Sequence, residues 1–312
     1  MSTVVPEKIT LCLSEAQSES HETQERALRT LASITKVSPQ NRSLLAQSEG
    51  AIPAFLTLSK SSSSIIQVLS LAILFNLSLN PDLKKSLADM ETISHLNSMI
   101  ASPKTSPESG RLASSLVCSL AMLDKNKAKF GVAGTIQLLI EAISRPDYRG
   151  LATHHLLSSL AELVQFHGNS TLAVRSGAIP ALIQVVESTD GEDLAGTSLA
   201  VLCLLARFDE GLNGLRKTEG IVSRMVNVLK GRCMLSKEGA AEILIRLFDE
   251  SEGCVRDAMR LPEFSTVLAD LSVRGSARAR EKASLLMKKM MEADLDSYVD
   301  GSTVLFPALI EF

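Results

Sequence analysis

Residues able to act as acids, bases, nucleophiles or metal ligands decide first whether this chain is a catalyst. Its five histidines include an adjacent pair, His154 and His155, with His167 further along the same apolar stretch. Neighbours on a helix point about 100° apart and do not share a face, so the pair reads as surface or inter-repeat histidines. No histidine has the spacing of a zinc ligand. Cys12, Cys118, Cys203, Cys233 and Cys254 lie far apart with no Cys-x-x-Cys pair. Cys118 and Cys203 sit inside apolar runs and read as small core residues. The chain has no Gly-x-Ser-x-Gly elbow, no Gly-x-Gly-x-x-Gly and no phosphate-binding Gly-x-x-x-x-Gly-Lys-Ser/Thr. Its carboxylates are scattered, and a perturbed catalytic carboxylate needs burial. The expectation is no enzyme, no cofactor and no metal.

Binding chemistry is narrowed by composition. Net charge is −3 and the pI near 6.0, where a sequence-independent nucleic-acid binder is basic. Trp is absent and Tyr occurs twice, which leaves little for stacking on bases. No nucleic-acid partner is expected. No run of about 18 apolar residues exists to span a membrane, and the N-terminus lacks the pattern of a secretory signal. An odd, scattered cysteine set suits a reducing compartment, so a cytoplasmic or nuclear location is expected. The sequons at Asn41, Asn76 and Asn169 then read as chance. Ser102 and Ser106 each precede proline, as in proline-directed phosphorylation sites. The alternative for both is plain turn chemistry, with proline blocking a helix and serine capping the next.

The elements that would carry these residues repeat. Gly177-Ala-Ile-Pro-Ala-Leu-Ile recurs as Gly50-Ala-Ile-Pro-Ala-Phe-Leu, with weaker copies at Gly134-Thr-Ile-Gln and Gly220-Ile-Val-Ser. The starts at 134, 177 and 220 are evenly spaced, about forty residues apart, the period of an all-helical solenoid. Each glycine suits a turn at positive φ, and Pro53 follows where a helix begins. Ile179, Leu182, Ile183 and Val186 form one buried stripe. Units are expected at about 4–48, 49–90, 91–133, 134–176, 177–219, 220–262 and 263–291, making one solenoid over 1–291. Pro39-Gln-Asn41 is expected to break the first unit before a short helix at 42–47. The second unit's long helix is expected over 66–79, apolar on nearly all sides. Gly211 is expected to end a helix, with a short helix at 212–218. Residues 292–312 form an acidic and then apolar tail that either stays free or docks back on the chain.

The Gly-Ala-Ile-Pro-Ala-Leu opening and the Leu74-Phe-Asn-Leu-Ser78 ending resemble the armadillo repeat. Ser38-Pro-Gln-Asn-Arg42, Phe166-His-Gly-Asn169, Ala173-Val-Arg-Ser-Gly177 and the segment from Asp270 to Leu286 resemble the repeat region of plant U-box armadillo proteins, over about 20–291. The resemblance implies an all-α, right-handed superhelical α-solenoid of about seven armadillo-type repeats. It also implies a concave groove that binds protein partners. Family members that are ubiquitin ligases carry a U-box before the repeats. Here the repeats begin almost at residue 1, so ligase activity is not expected of this chain. In armadillo transport receptors a repeated asparagine clamps an extended peptide. The corresponding positions here are Ser33, Asn76, Met122, Glu162, Leu204, Arg246 and Lys289, and only Asn76 keeps the asparagine. A transport receptor is therefore disfavoured. Candidate groove residues are Asn76, Glu162, Arg207, Arg246 and Lys289, with a neutral or apolar start and a basic end. The expected function is a monomeric, non-catalytic adaptor or regulatory scaffold, in plant signalling or ubiquitin pathways. The alternative is the substrate-recognition subunit of a ligase with a separate catalytic partner.

Overall fold

The structure, a computed structural model, describes residues 4–145, 151–188 and 192–302. Among the described residues there are twenty α-helices and no strand. They fall into two compact units, residues 1–176 and 177–312.

The first unit opens with α1 (Val4–Ala16) and the long α2 (His21–Val37). Triplets of a short, a middle and a long helix follow. The first triplet is α3 (Pro39–Gln47), α4 (Ala51–Leu58) and α5 (Ser64–Ser78). The second is α6 (Pro81–Leu87), α7 (Met90–Ala101) and α8 (Pro107–Ala121). The third is α9 (Asp124–Val132), α10 (Thr135–Ser144) and α11 (Leu151–Leu163), and the short α12 (His167–Arg175) ends the unit. The second unit starts with the middle helix α13 (Ala178–Glu187) and the long α14 (Glu192–Leu205). It continues with α15 (Asp209–Arg216), α16 (Ile221–Lys230) and α17 (Met234–Glu250), then α18 (Glu252–Met259), α19 (Phe264–Arg274) and α20 (Ala277–Ser302).

Two local devices set these boundaries. Two of the short helices, α3 and α6, begin at a polar cap followed by proline. Ser38 accepts a hydrogen bond from Asn41 N at 3.3 Å and Asn80 from Asp82 N at 3.1 Å, with Pro39 and Pro81 next in line. Proline costs little there, because the first N–H of a helix has no partner to lose. Pro39-Gln-Asn41 therefore starts α3, where the sequence led us to expect a break. Middle helices begin at a left-handed glycine: Gly50, Gly134, Gly177 and Gly220 have φ of 73°, 76°, 83° and 66°. Where that glycine is missing, Asp89 takes over, accepting from Thr92 N and Thr92 Oγ1, both at 2.8 Å.

Further expectations shift. The helix expected at 66–79 spans Ser64–Ser78, and Ile65 on it is exposed. Gly211 lies inside α15, where a Cβ would come within 2.0 Å of the Leu205 carbonyl oxygen. It is needed for close packing and does not end a helix. Helix α20 runs through the boundary expected at 292 as far as Ser302. The apolar end of the tail, residues 303–312, lies outside the described residues, so its docking does too.

In the first unit the long helices stack in order, α2 on α5, α5 on α8 and α8 on α11. They bury Leu28, Leu31, Leu71, Leu74, Leu77, Leu116, Leu120, Leu157 and Leu160. Each such side chain contributes about 1.5–3 kcal/mol relative to exposure. In the second unit α14 stacks on α17 and α17 on α20. There Phe248 meets Phe264 edge-on, with ring centroids 6.2 Å apart and planes at 84°, the favoured geometry for an aromatic pair.

Candidate functional site

An asparagine ladder does exist here, on the short helices and not on the long ones. Asn126 of α9 donates from Nδ2 to Leu120 O at 3.0 Å and to Lys84 O of α6 at 2.9 Å. Asn169 of α12 repeats this, reaching Leu163 O at 3.1 Å and Lys127 O of α9 at 2.8 Å. Asn41 of α3 makes the local half of the pattern, to Ile34 O at 3.0 Å. Each amide thus ties a short helix to the end of its long helix, and two of them also tie it to the short helix before. Lys84 adds a tie from α6 into α8, its buried Nζ donating to Ser119 O and, at 3.1 Å, to Ser119 Oγ. Burial pushes that ammonium below its usual range.

Asn76 belongs to the same class. Its Nδ2 donates to Ala32 O and to Thr35 Oγ1, both at 3.1 Å, and the residue is only 8 % exposed. Both amide hydrogens hold α5 to α2, so neither is left to clamp a peptide. Counting back from the short-helix caps corrects the register of the other positions. The residues equivalent to Asn76 are Ile34, Ser119 and Glu162 in the first unit and Leu204 and Leu247 in the second. Ser33, Met122 and Arg246 lie off that row.

The outward stripes of the long helices form a regular face in the first unit. Val37, Leu79, Met122 and Gln165 each stand just before a short-helix cap. One turn back are Ser33, Phe75, Cys118 and Ala161, and behind them Thr30, Ala72, Ser115 and Ser158. No residue in these three rows is charged. Exposures of 78 % at Val37, 45 % at Leu79 and 62 % at Met122 leave large apolar side chains to solvent in matching positions. The next row, Arg26, Val68, Arg111 and His154, borders this face, and its two arginines lie 3.8 Å from the carboxylates of Glu15 and Glu108. Glu162, half-buried near the other edge, accepts from Gln165 Nε2 at 3.3 Å. His155 is an inter-repeat histidine, 3.2 Å from Ser115 Oγ through Nδ1, and burial, Arg111 and His154 hold its pKa below the ordinary value.

The face of the second unit is charged but internally paired. Arg246 donates to Glu242 at 2.9 Å, and Lys282 meets the other oxygen of that carboxylate at 3.1 Å. Lys289 pairs with Asp249. Burial alone would raise the Glu242 carboxyl, but hydrogen bonds and charge from Lys282 and Arg246 outweigh it and hold the pKa below the ordinary value. The basic end expected from the sequence is thus a mixed one. Arg207 is exposed and occupies the row of Val37, Leu79 and Met122. Beneath this face burial pushes the Cys203 thiol up to about 12, with Glu242 adding to the shift. Burial likewise raises Cys118. Neither is poised as a nucleophile.

The sequence identified the helices but missed the apolar row. Its signal was present: an apolar residue two places before α3, α6 and α9, at 37, 79 and 122.

A family model described as the plant U-box protein armadillo (ARM) repeat region matches residues 8–303. The chain belongs to this family. Among its curated relatives is U-box domain-containing protein 8 of Arabidopsis thaliana, 29 % identical over 216 residues, covering 69 % of this chain and 55 % of that protein. Another is U-box domain-containing protein 1 of Medicago truncatula, 32 % identical over 123 residues, covering 38 % of this chain and 17 % of the relative. The chain thus spans about half the first relative or less. An engineered protein of known structure matches this armadillo chain with a TM-score of 0.78 at 17 % identity, over 93 % of this chain and 71 % of the other. A computationally designed armadillo repeat protein for modular peptide recognition matches with a TM-score of 0.68 at 16 % identity, over 78 % and 99 %. At such identities the likeness concerns the fold, an all-helical armadillo solenoid.

Proposed function

We propose that this armadillo chain is a non-catalytic scaffold that binds a protein segment on the long-helix face of its first unit. The observation that carries the reading is the set of three uncharged rows ending in exposed Val37, Leu79 and Met122. Equally spaced apolar side chains suit a segment presenting apolar groups at regular intervals, as a helix or strand does. The designed relative made for peptide recognition supports the reading by analogy of fold. The second unit's paired ridge, with Arg207, Arg246 and Lys289, is a secondary contact. The odd, scattered cysteine set is our ground for a cytosolic or nuclear location, and the family is our ground for plant signalling or ubiquitin pathways.

The test is affinity capture and then titration of each recovered partner against three proteins: native, Leu79→Asp with Met122→Asp, and Arg207→Glu with Arg246→Glu. The first variant should lose at least tenfold in affinity and the second much less. Equal affinity of all three proteins would overturn the reading. The U-box relatives favour one second reading, substrate recognition for a ligase whose catalytic part is another protein. In a reconstituted ubiquitination reaction this chain should form no ubiquitin chains by itself, and should direct them to its partner only when a catalytic subunit is added.

A further inference from the structure

Two of the chain's three Ser-Pro dipeptides, at Ser102 and Ser106, share one loop, and the fold puts them at opposite electrical poles. Ser102 ends α7, at the negative pole of that helix, and its N–H donates to Ser98 O at 3.1 Å. Ser106 begins α8, where its Oγ accepts from Ser109 N at 3.1 Å and donates to Ser109 Oγ at 2.9 Å. Ser106 has φ −60° and ψ 146°, the extended conformation that a following proline imposes. It also lines an open recess of about 550 Å³ at the edge of the first unit's face, shared with Arg29, Ser64, Ile65, Val68 and Glu108. Arg29 is exposed there and bound only to Glu25 of its own helix, at 2.7 and 2.9 Å.

We propose that Ser106 is a phosphorylation site for a proline-directed kinase, and that its phosphate locks the start of α8 and draws Arg29 across the recess. The Ser106 hydroxyl oxygen attacks the γ-phosphorus of ATP. The bond to the departing ADP breaks, and the hydroxyl proton passes to the kinase base. The product carries about −1.5 to −2 charge and three acceptor oxygens. It keeps Oγ available to Ser109 N, adds acceptor oxygens beside the Glu108 N–H, and complements the positive end of a fifteen-residue helix. A single exposed Glu25 carboxylate on the same helix competes poorly for Arg29 against that charge. The same group on Ser102 would face the negative end of α7. Position, and not motif, separates the two serines.

The experiment incubates the chain with ATP and a proline-directed kinase, maps phosphate by mass spectrometry and follows amide hydrogen exchange. In a Ser38→Asn background, which removes the third Ser-Pro dipeptide and keeps a cap at α3, Ser102→Ala isolates Ser106. Ser106→Asp isolates Ser102 while preserving a cap. Phosphate on Ser106 of the Ser102→Ala protein should slow exchange over residues 107–112 at least threefold, and Arg29→Ala should remove part of that slowing. Phosphate on Ser102 of the Ser106→Asp protein should speed exchange at the end of α7. Absence of phosphate from Ser106 overturns the proposal, as does exchange in α8 that is unchanged or faster. If Arg29→Ala leaves the slowing intact, the role given to Arg29 falls.

Discussion

At the scale of single residues, Asn126 does the most with the least. Its two amide hydrogens go to carbonyls six and 42 residues back, and the residue is fully buried. Asn126→Ala takes the side-chain donor from Lys84 O and leaves Leu120 O only the Leu123 N–H, so urea denaturation should show a loss of about 1–3 kcal/mol. A loss below about 0.5 kcal/mol, within the range of an ordinary surface change, would show that the ladder is not structural. Glu242 gives a pH signature. Its pKa is depressed in the folded chain, so its stabilisation is complete above the unfolded carboxylate value of about 4.3 and disappears as pH falls through the folded one. Melting temperatures measured from pH 7 to pH 3 should fall further for the native chain than for Glu242→Gln; parallel curves would refute the assignment. Neither role was legible in the sequence. Asn126 stood there in plain view, but its partner carbonyls come from chain 42 residues away.

At the scale of elements, the starts of the middle helices were readable and those of the short helices were not. A glycine before an apolar run can be assigned because few other residues enter the left-handed region. A proline reads as a breaker until its preceding cap is recognised, which is why α3 begins three residues earlier than expected. Gly134 isolates the backbone effect, since no atom lies within 4 Å of where its Cβ would be. Gly134→Ala should therefore cost about 1–2 kcal/mol in urea titration, the price of a left-handed L-residue, and Gly134→Asn less. Equal stability of all three proteins would show that the turn relaxes freely.

At the scale of the whole molecule, periodicity alone was enough to specify an all-helical repeat array, because each copy carries the same apolar stripe. The charge pattern of the faces was not readable in the same way. Lys289 and Arg246 counted as free cations until the fold paired Lys289 with Asp249 from 40 residues earlier and Arg246 with Glu242 on its own helix. What holds the repeats together and what we propose faces a partner are also different residues. Asn126 and Asn169 are buried and donate to two carbonyls each, while Val37, Leu79 and Met122 are exposed. Descent with modification then acts on two separate sets of positions. Drift along the exposed row changes what a lineage recognises while its melting point stays put, and drift along the seam is purged whatever is recognised. A duplicated copy of such a chain is one or two substitutions from a new clientele.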